Sequence, residues 1–292
     1  MNGKNFPTGY ELKLKKDLSR PLNLNRLKKN LSESFGYMSK FDIGTDFFPL
    51  FTNETLKDSY FLEFQDEIIG SILVKNKDLK INDKVFSCAC LGGIFIAKNH
   101  RGKGLFHHFF KKTLEKISKR KNPDFFILWS EKESLYKKFN FHSTGQTYYE
   151  QKHSPAKKSN WEISTLKDLP PNDFNQIVHL WNHKTFKNSF LRTDQDWNEI
   201  KNIASCSLQF FRGENNKIEN YFLLSKGMDL SGIVHEFTDD ERTIKAISSL
   251  PRISHKPISD NPTVIPSCLA KANGQHDVSE ISEVFCFGLD CI

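Results

Sequence analysis

The chain has 292 residues, enough for about two domains at roughly 150 residues each. A hydrophobic content of 38% and an aromatic content of 13%, with 26 Phe against 3 Met, suit packed cores and exclude a fibrous or disordered chain. The formal net charge of +7 is shared unevenly, because residues 1–150 hold 26 Lys and Arg against 17 Asp and Glu while residues 151–292 hold 16 against 18; the first half is expected to attract an anionic partner.

No run of about 18 apolar residues is present, so no membrane partner is expected. The leading MNGKNFPTGYELKLKK has no apolar core before its lysines, unlike a secretory signal. Six cysteines, at 88, 90, 206, 268, 286 and 291, form no C-x-x-C pair. Zinc ligation would need a second pair, so the expectation is no metal and buried, reduced thiols in a cytoplasmic protein.

In chain order, Tyr10–Leu14 is expected as a strand, and Leu22–Phe35 has helical apolar spacing at Leu22, Leu24, Leu27, Leu31 and Phe35. An irregular Phe-rich stretch follows to Leu56, then a hairpin of Tyr60–Phe64 and Ile68–Val74. Val85–Ile96 is a long β-forming run containing Gly92-Gly93, and paired glycines there suggest a bulge or a close approach to the backbone. A helix over Gly104–Lys119, a buried strand Phe125–Trp129, a short helix Ser134–Phe139 and a last strand or hairpin arm Phe141–Glu150 complete a mixed α/β layer.

Residues 153–160, polar and with a proline, read as a linker between domains at 1–152 and 161–292. Beyond it the element order repeats: strand Trp161–Thr165, amphipathic helix Asn172–Asn182, and a helix capped by Thr193 through Trp197 and Ile200. A hairpin of Gln209–Arg212 and Tyr221–Ser225, strand Ile233–Phe237 and helix Asp239–Leu250 follow.

The sharpest motif is Ala97-Lys98-Asn99-His100-Arg101-Gly102-Lys103-Gly104-Leu105-Phe106, a strand end, a basic glycine loop and a helix start. Glycines let successive N–H groups turn inward, and the helix adds unpaired donors and its positive dipole end, which together suit a pyrophosphate. A P-loop would need Lys-Ser/Thr after its second glycine, and a Rossmann loop a third glycine; neither is here. The plain alternative is a solvated turn with two incidental glycines.

Arg101-x-x-Gly104 after a strand resembles the R/Q-x-x-G-x-G/A signature of the Gcn5-related N-acetyltransferase (GNAT) superfamily. Leu135-Tyr136-Lys137-Lys138-Phe139-Asn140-Phe141 resembles its late L-Y-x-x-x-G-F segment. The resemblance covers roughly residues 10–150, and the loop also looks like that of tandem-domain acetyltransferases, in which one half binds acyl-CoA. It implies an α/β fold of two GNAT-like modules in tandem, with acetyl-CoA as co-substrate and an amine, small-molecule or peptide, as acceptor. Two positions depart from the pattern: Phe106 replaces a small residue, and Asn140 replaces a glycine while still accepting the left-handed conformation after a helix.

By the same resemblance, Ile94, Phe95 and Ile96 lie on the strand that splays from its neighbour to pair with pantetheine. Arg101, Gly102, Lys103, Gly104, Leu105 and Phe106 surround the pyrophosphate. Tyr136 aligns with the frequent general acid, its alternative being a packed tyrosine on a short helix. Glu131 is the first candidate base, with His100 and His142 behind it, although water relays often fill that role in the family. In the second half Thr238-Asp239-Asp240-Glu241 would repel a pyrophosphate, so that module is expected to have lost the co-substrate. Two other readings compete: a basic protein that binds nucleic acid or the ribosome, disfavoured by the lack of interleaved aromatics, and a non-catalytic CoA sensor.

Overall fold

A computed structural model describes residues 8–14, 23–151, 160–184 and 188–291. The expected linker at 153–160 lies outside them except for Asn160. Strand β1 (Tyr10–Leu14) precedes helix α1 (Leu24–Phe35), which Asn23 caps by accepting from the Arg26 N–H and which ends at Gly36 in the left-handed region. The Phe-rich stretch expected to be irregular is helical in short pieces: α2 (Ile43–Asp46), a 3-10 turn (Phe48–Phe51) and α3 (Asn53–Asp58). Asp42 and Thr52 cap α2 and α3, and such local caps escape a search for long periodicity.

Strands β2 (Tyr60–Phe64), β3 (Glu67–Ile81) and β4 (Lys84–Ile96) form a meander, joined at Gln65-Asp66, both with positive φ, and at Asn82-Asp83. Helix α4 (Leu105–Lys121) crosses to β5 (Phe125–Leu128), and α5 (Glu133–Lys137), β6 (His142–Thr144) and β7 (Thr147–Glu150) follow. Then come β8 (Glu162–Ser164), α6 (Pro171–Lys184), β9 (Ser189–Phe190) and α7 (Asp194–Ile200), the last held by a Thr193–Asp196 capping box. Strands β10 (Ser207–Arg212), β11 (Ile218–Leu224) and β12 (Val234–Phe237), helix α8 (Glu241–Ile247), and strands β13 (Arg252–Ser254), β14 (Thr263–Ile265) and β15 (Cys268–Ala272) complete the described elements.

These strands make two mixed sheets, β1-β2-β3-β4-β5-β15-β6 with β9 on β3, and β14-β7-β13-β12-β11-β10-β8. Each contains one parallel pair joined by a helical crossover: β4–α4–β5 in the first, β12–α8–β13 in the second. The repeated element order is therefore a repeated topology.

The sheets do not respect a division of the chain at 153–160. The expected final strand Phe141–Glu150 breaks at Gly145 (φ 70), placing β6 in the first sheet and β7 in the second. A Cβ there would meet the Val284 carbonyl oxygen at 2.2 Å, so no larger residue fits the crossing. In return β15 leaves the C-terminal part and pairs with β5 and β6. The reason lies in β5, whose four apolar residues are all fully buried; on the edge away from β4 they need a partner, and β15 supplies it.

The halves are also pinned by buried charge. Lys75 of β3 reaches Glu199 at 2.6 Å and Asp196 at 3.3 Å on α7, while Lys77 is paired with Asp290. Arg192 bridges Asp290 (2.7 Å) and Glu236 (2.6 Å) with its guanidinium 3.6 Å over the Trp181 ring. Tyr221 donates to Glu236, closing the network. Burial alone would raise the Asp290 carboxyl, but Arg192 and Lys77 hold it down at about 2.

Breaking a buried pair on one side leaves charge without compensation, at about 3–5 kcal/mol. Asp290→Ala is therefore expected to lose about that much stability in urea unfolding, since two cations lose their shared partner. Because the folded carboxyl is depressed, its contribution is present above the unfolded value of about 3.9 and lost as pH falls through about 2; acid titration of the wild type should show that loss and the variant should not.

Candidate functional site

The site begins where β4 leaves β5. Their parallel pairing runs Cys88↔Phe125 to Leu91↔Leu128 and stops, although β4 continues to Ile96. At that point the β3–β4 register shifts between Ser71 and Leu73, and Gly93 takes φ +54. The paired glycines are thus a bulge, as their place in a strand suggested. Ser71 locks it by donating to the Gly93 carbonyl at 2.6 Å. Past the bulge, β4 presents Gly92–Ile94 toward an open wedge instead of toward β5.

The wedge leads to the loop. Ala97 N–H bonds Ile69 O, and the turn Lys98–His100 consumes the His100 and Arg101 amides on Ala97 and Lys98 carbonyls. Gly102 (φ 78) and Gly104 (φ 71) are both left-handed, and a Cβ on either would meet nothing within 4 Å. Their conformation, and open space above them, are what a close ligand requires. Among the described residues no bond is recorded from the amides of Gly102, Lys103, Gly104, Leu105 or Phe106, and no side chain caps the 17-residue helix α4. Arg101 is exposed but anchored, its Nε donating to Ile96 O at 2.8 Å; Lys103 reaches Tyr10 at 3.4 Å. Loop charge and loop amides thus stand on one open surface.

Beside the wedge stands Tyr136, 6% exposed. Phe106, the residue that departs from the family pattern, packs edge-on against Tyr136 (5.9 Å between centroids) and Phe139 (6.0 Å). Its bulk is directed sideways into the contact between α4 and α5, away from the open loop, and so helps fix Tyr136. Asn140 takes φ 63 at the end of the turn that follows that short helix, as its resemblance to a glycine position implies. Burial pushes the Tyr136 phenol up to about 12, against an opposing hydrogen bond with Ser130.

Ser130, Tyr136 and Gly92–Ile94 line a cavity of about 230 Å³ together with Tyr37, Phe47, Phe51, Trp129, Met228 and Asp229 among others. The expected bases do not share it. His100 is turned onto Tyr10 (3.1 Å) and Phe64 at the β1–β2 edge, away from the β5 side of β4, with its imidazole lowered by burial and by Lys103. His142 is exposed on β6 near Asp277. Glu131 is exposed just past β5 and acts on the cavity through its charge at Asp229, without lining it. Sequence reasoning missed Met228 and Asp229, because the turn after β11 carries no motif and reaches the wedge only through packing of the two halves.

Of the basic residues on α4, Arg120 and Lys121 pair with Asp58 at 2.8 and 3.3 Å and tie the helix end to α3, while Lys111, Lys116 and Lys119 are exposed. The second sheet's equivalent position is closed. Asp240 caps α8 by accepting from the Thr243 N–H, Asn220 also bonds it, and Thr238 bonds Thr243. Beside it the buried Arg252 is paired with Glu150.

The family model described as an acetyltransferase (GNAT) domain matches residues 23–144. Residues 23–144 are a GNAT domain. The match holds the bulge, the loop, α4 and α5 together, and the described residues as a whole form an α/β fold with two mixed sheets. A probable N-acyltransferase from Enterococcus faecalis superposes with a TM-score of 0.61 at 13% identity, covering 90% of this chain and 72% of that one. A putative acetyltransferase from Pyrococcus horikoshii gives 0.54 at 16% identity over 99% and 98%. Saccharomyces cerevisiae N-myristoyltransferase, solved with myristoyl-CoA and inhibitors, gives 0.60 at 12% identity over 97% and 88%. At these identities the likeness is one of fold. No curated protein matches the chain by sequence. Among the described residues no cluster of three or more His, Cys, Asp or Glu could hold a metal, and no helix is long and apolar enough to cross a membrane.

The bulge of the GNAT domain tests directly. An added Cβ at Gly93 would lie 2.8 Å from Leu73 Cδ1, and Leu73 is fully buried. Gly93→Ala is expected to cost about 1–3 kcal/mol from left-handed strain and overpacking, read as a lowered thermal midpoint.

Proposed function

We propose that the chain is an N-acyltransferase that moves an acetyl or other acyl group from acyl-CoA to a primary amine by direct attack. The observation that carries this is the conjunction of an open β4 edge, a run of free amides at the start of α4, and a buried tyrosine at the wedge between them. In this reading the pyrophosphate lies on the Gly102–Phe106 amides with Arg101 and Lys103 adding charge, the pantetheine arm runs along Ile94–Ile96, and the thioester points at Gly92–Ile94.

Magnitudes then decide what Tyr136 does. A phenol near 12 beside a leaving thiolate of about 8.5 would lose energy by complete proton transfer. It acts instead as a hydrogen-bond donor to charge developing on sulfur, staying protonated across neutral pH. The amine's own proton leaves by water or by a carboxylate near the wedge, and Glu131 is close enough to influence that carboxylate. Thiols buried in the core, with Cys90 and Cys206 pushed up by burial, suit the reducing cytoplasm. The second module, its helix start closed by Asp240, shapes the acceptor side.

Isothermal titration with acetyl-CoA tests the loop. Gly104→Asp puts a carboxylate where two phosphates would lie, and affinity should fall at least about tenfold, the weight of one charged hydrogen bond. Unchanged affinity removes the loop from the reaction. For chemistry, Tyr136→Phe should leave the acetyl-CoA Kd in place while lowering kcat by about 10²–10³, followed as thiol release.

A further inference from the structure

The cavity off the wedge has a lining that says what it receives. Leu31, Phe35 and Phe51 are among its apolar residues, Ser130 and Tyr136 line it too, and Asp229 is the single charged side chain among the lining residues. Asp229 is accessible to solvent and has no ion pair or hydrogen bond recorded among the described residues. Partial burial raises its carboxyl, Lys226 opposes that shift, and the charges of Asp46 and Glu131 add to it.

The turn that carries Asp229 is built, not loose. Gly227 has φ +57 and donates to Ser205 at 2.9 Å, and a Cβ there would meet the Tyr37 hydroxyl at 2.3 Å. Met228 N–H donates to the Tyr37 hydroxyl, which in turn donates to Asp46. Asp46 is 1% exposed, and its second carboxylate oxygen has no hydrogen-bond partner, so the surroundings of Asp229 are electronegative.

Resting on the acyltransferase reading above, we propose that this cavity is the acceptor site and takes a small monoamine with an aryl or alkyl arm, its ammonium received by Asp229 and its arm lying toward Phe35 and Phe51. A volume of about 230 Å³ is below the range of about 300–1,000 Å³ that holds drug-sized ligands. Polyamines and aminoglycosides carry several cations, and the lining offers them no second carboxylate. An ammonium held by Asp229 shares the cavity with Ser130, Tyr136 and Gly92–Ile94, where the thioester arrives, so loss of its proton to water or to the carboxylate yields the attacking amine in the same cavity.

The test uses the full chain with acetyl-CoA and three probes: phenethylamine, spermidine, and 2-phenylethanol as the uncharged isostere. Phenethylamine should be acetylated with a kcat/KM at least about tenfold above spermidine. Asp229→Asn should raise its KM about tenfold to a hundredfold with the acetyl-CoA Kd unchanged, and Asp229→Glu should recover part of the loss. An unmoved KM in Asp229→Asn overturns the proposal, as does equal binding of phenethylamine and 2-phenylethanol to the wild type, which needs no variant. Turnover of octanoyl-CoA in preference to acetyl-CoA without phenethylamine turnover would mean that the cavity holds the acyl chain, and also overturns it. Failure to bind acetyl-CoA at all sinks the parent reading; binding with no monoamine turnover sinks only this one.

Discussion

One glycine in the left-handed region sets the geometry on which the site depends. Gly93 lets β4 take in an extra residue opposite β3, and the extra residue turns the strand away from β5 just beyond Leu91. Strand separation inside a sheet leaves backbone groups unpaired, which is costly unless another partner takes them. Here the cost is localised by Ser71 on the Gly93 carbonyl, and Gly92–Ile94 line the cavity. A parallel pair that opens toward its carboxyl ends, with a helix N-terminus above it, is the place where open α/β sheets receive ligands.

The second sheet uses the same plan without the opening. Its parallel pair β12–β13 is crossed by α8, but Asp240 occupies the helix start and Asn220 and Thr243 bond to it. Arg252, fully buried against Glu150 and against the carbonyls of Ile247, Ser248 and Leu250, fills the space beside it with protein. One topology thus produces an open cleft when the polar groups are left unpaired and a packed module when side chains satisfy them.

Exchange of β7 and β15 makes the two modules inseparable. Each sheet contains a strand from the other side of the chain, and Lys75, Lys77 and Arg192 are buried between them with their carboxylates. A buried network of this kind is a poor source of net stability but a strict specifier of position, because any other docking would strand a charge. The same docking brings Met228 and Asp229 to the cavity, so the residues that line it come from both halves.

Much of this was legible in the residues. Local signals determined strands β1, β2, β4 and β5, the α4 helix after Gly102-Lys103-Gly104, the bulge at Gly92-Gly93, the Thr193 cap and the left-handed Asn140, since each depends on backbone conformation within a few residues; β3 runs on from the expected Val74 to Ile81. Tertiary structure alone decided that β15 covers β5, that Phe141–Glu150 is cut at Gly145, that His100 turns away from the wedge and that Asp229 faces it. Those outcomes depend on burial and pairing between segments far apart in the chain, 90 residues for His100 and Tyr10 and more than a hundred for β15 and β5, and no periodicity or motif in one stretch of sequence carries that information.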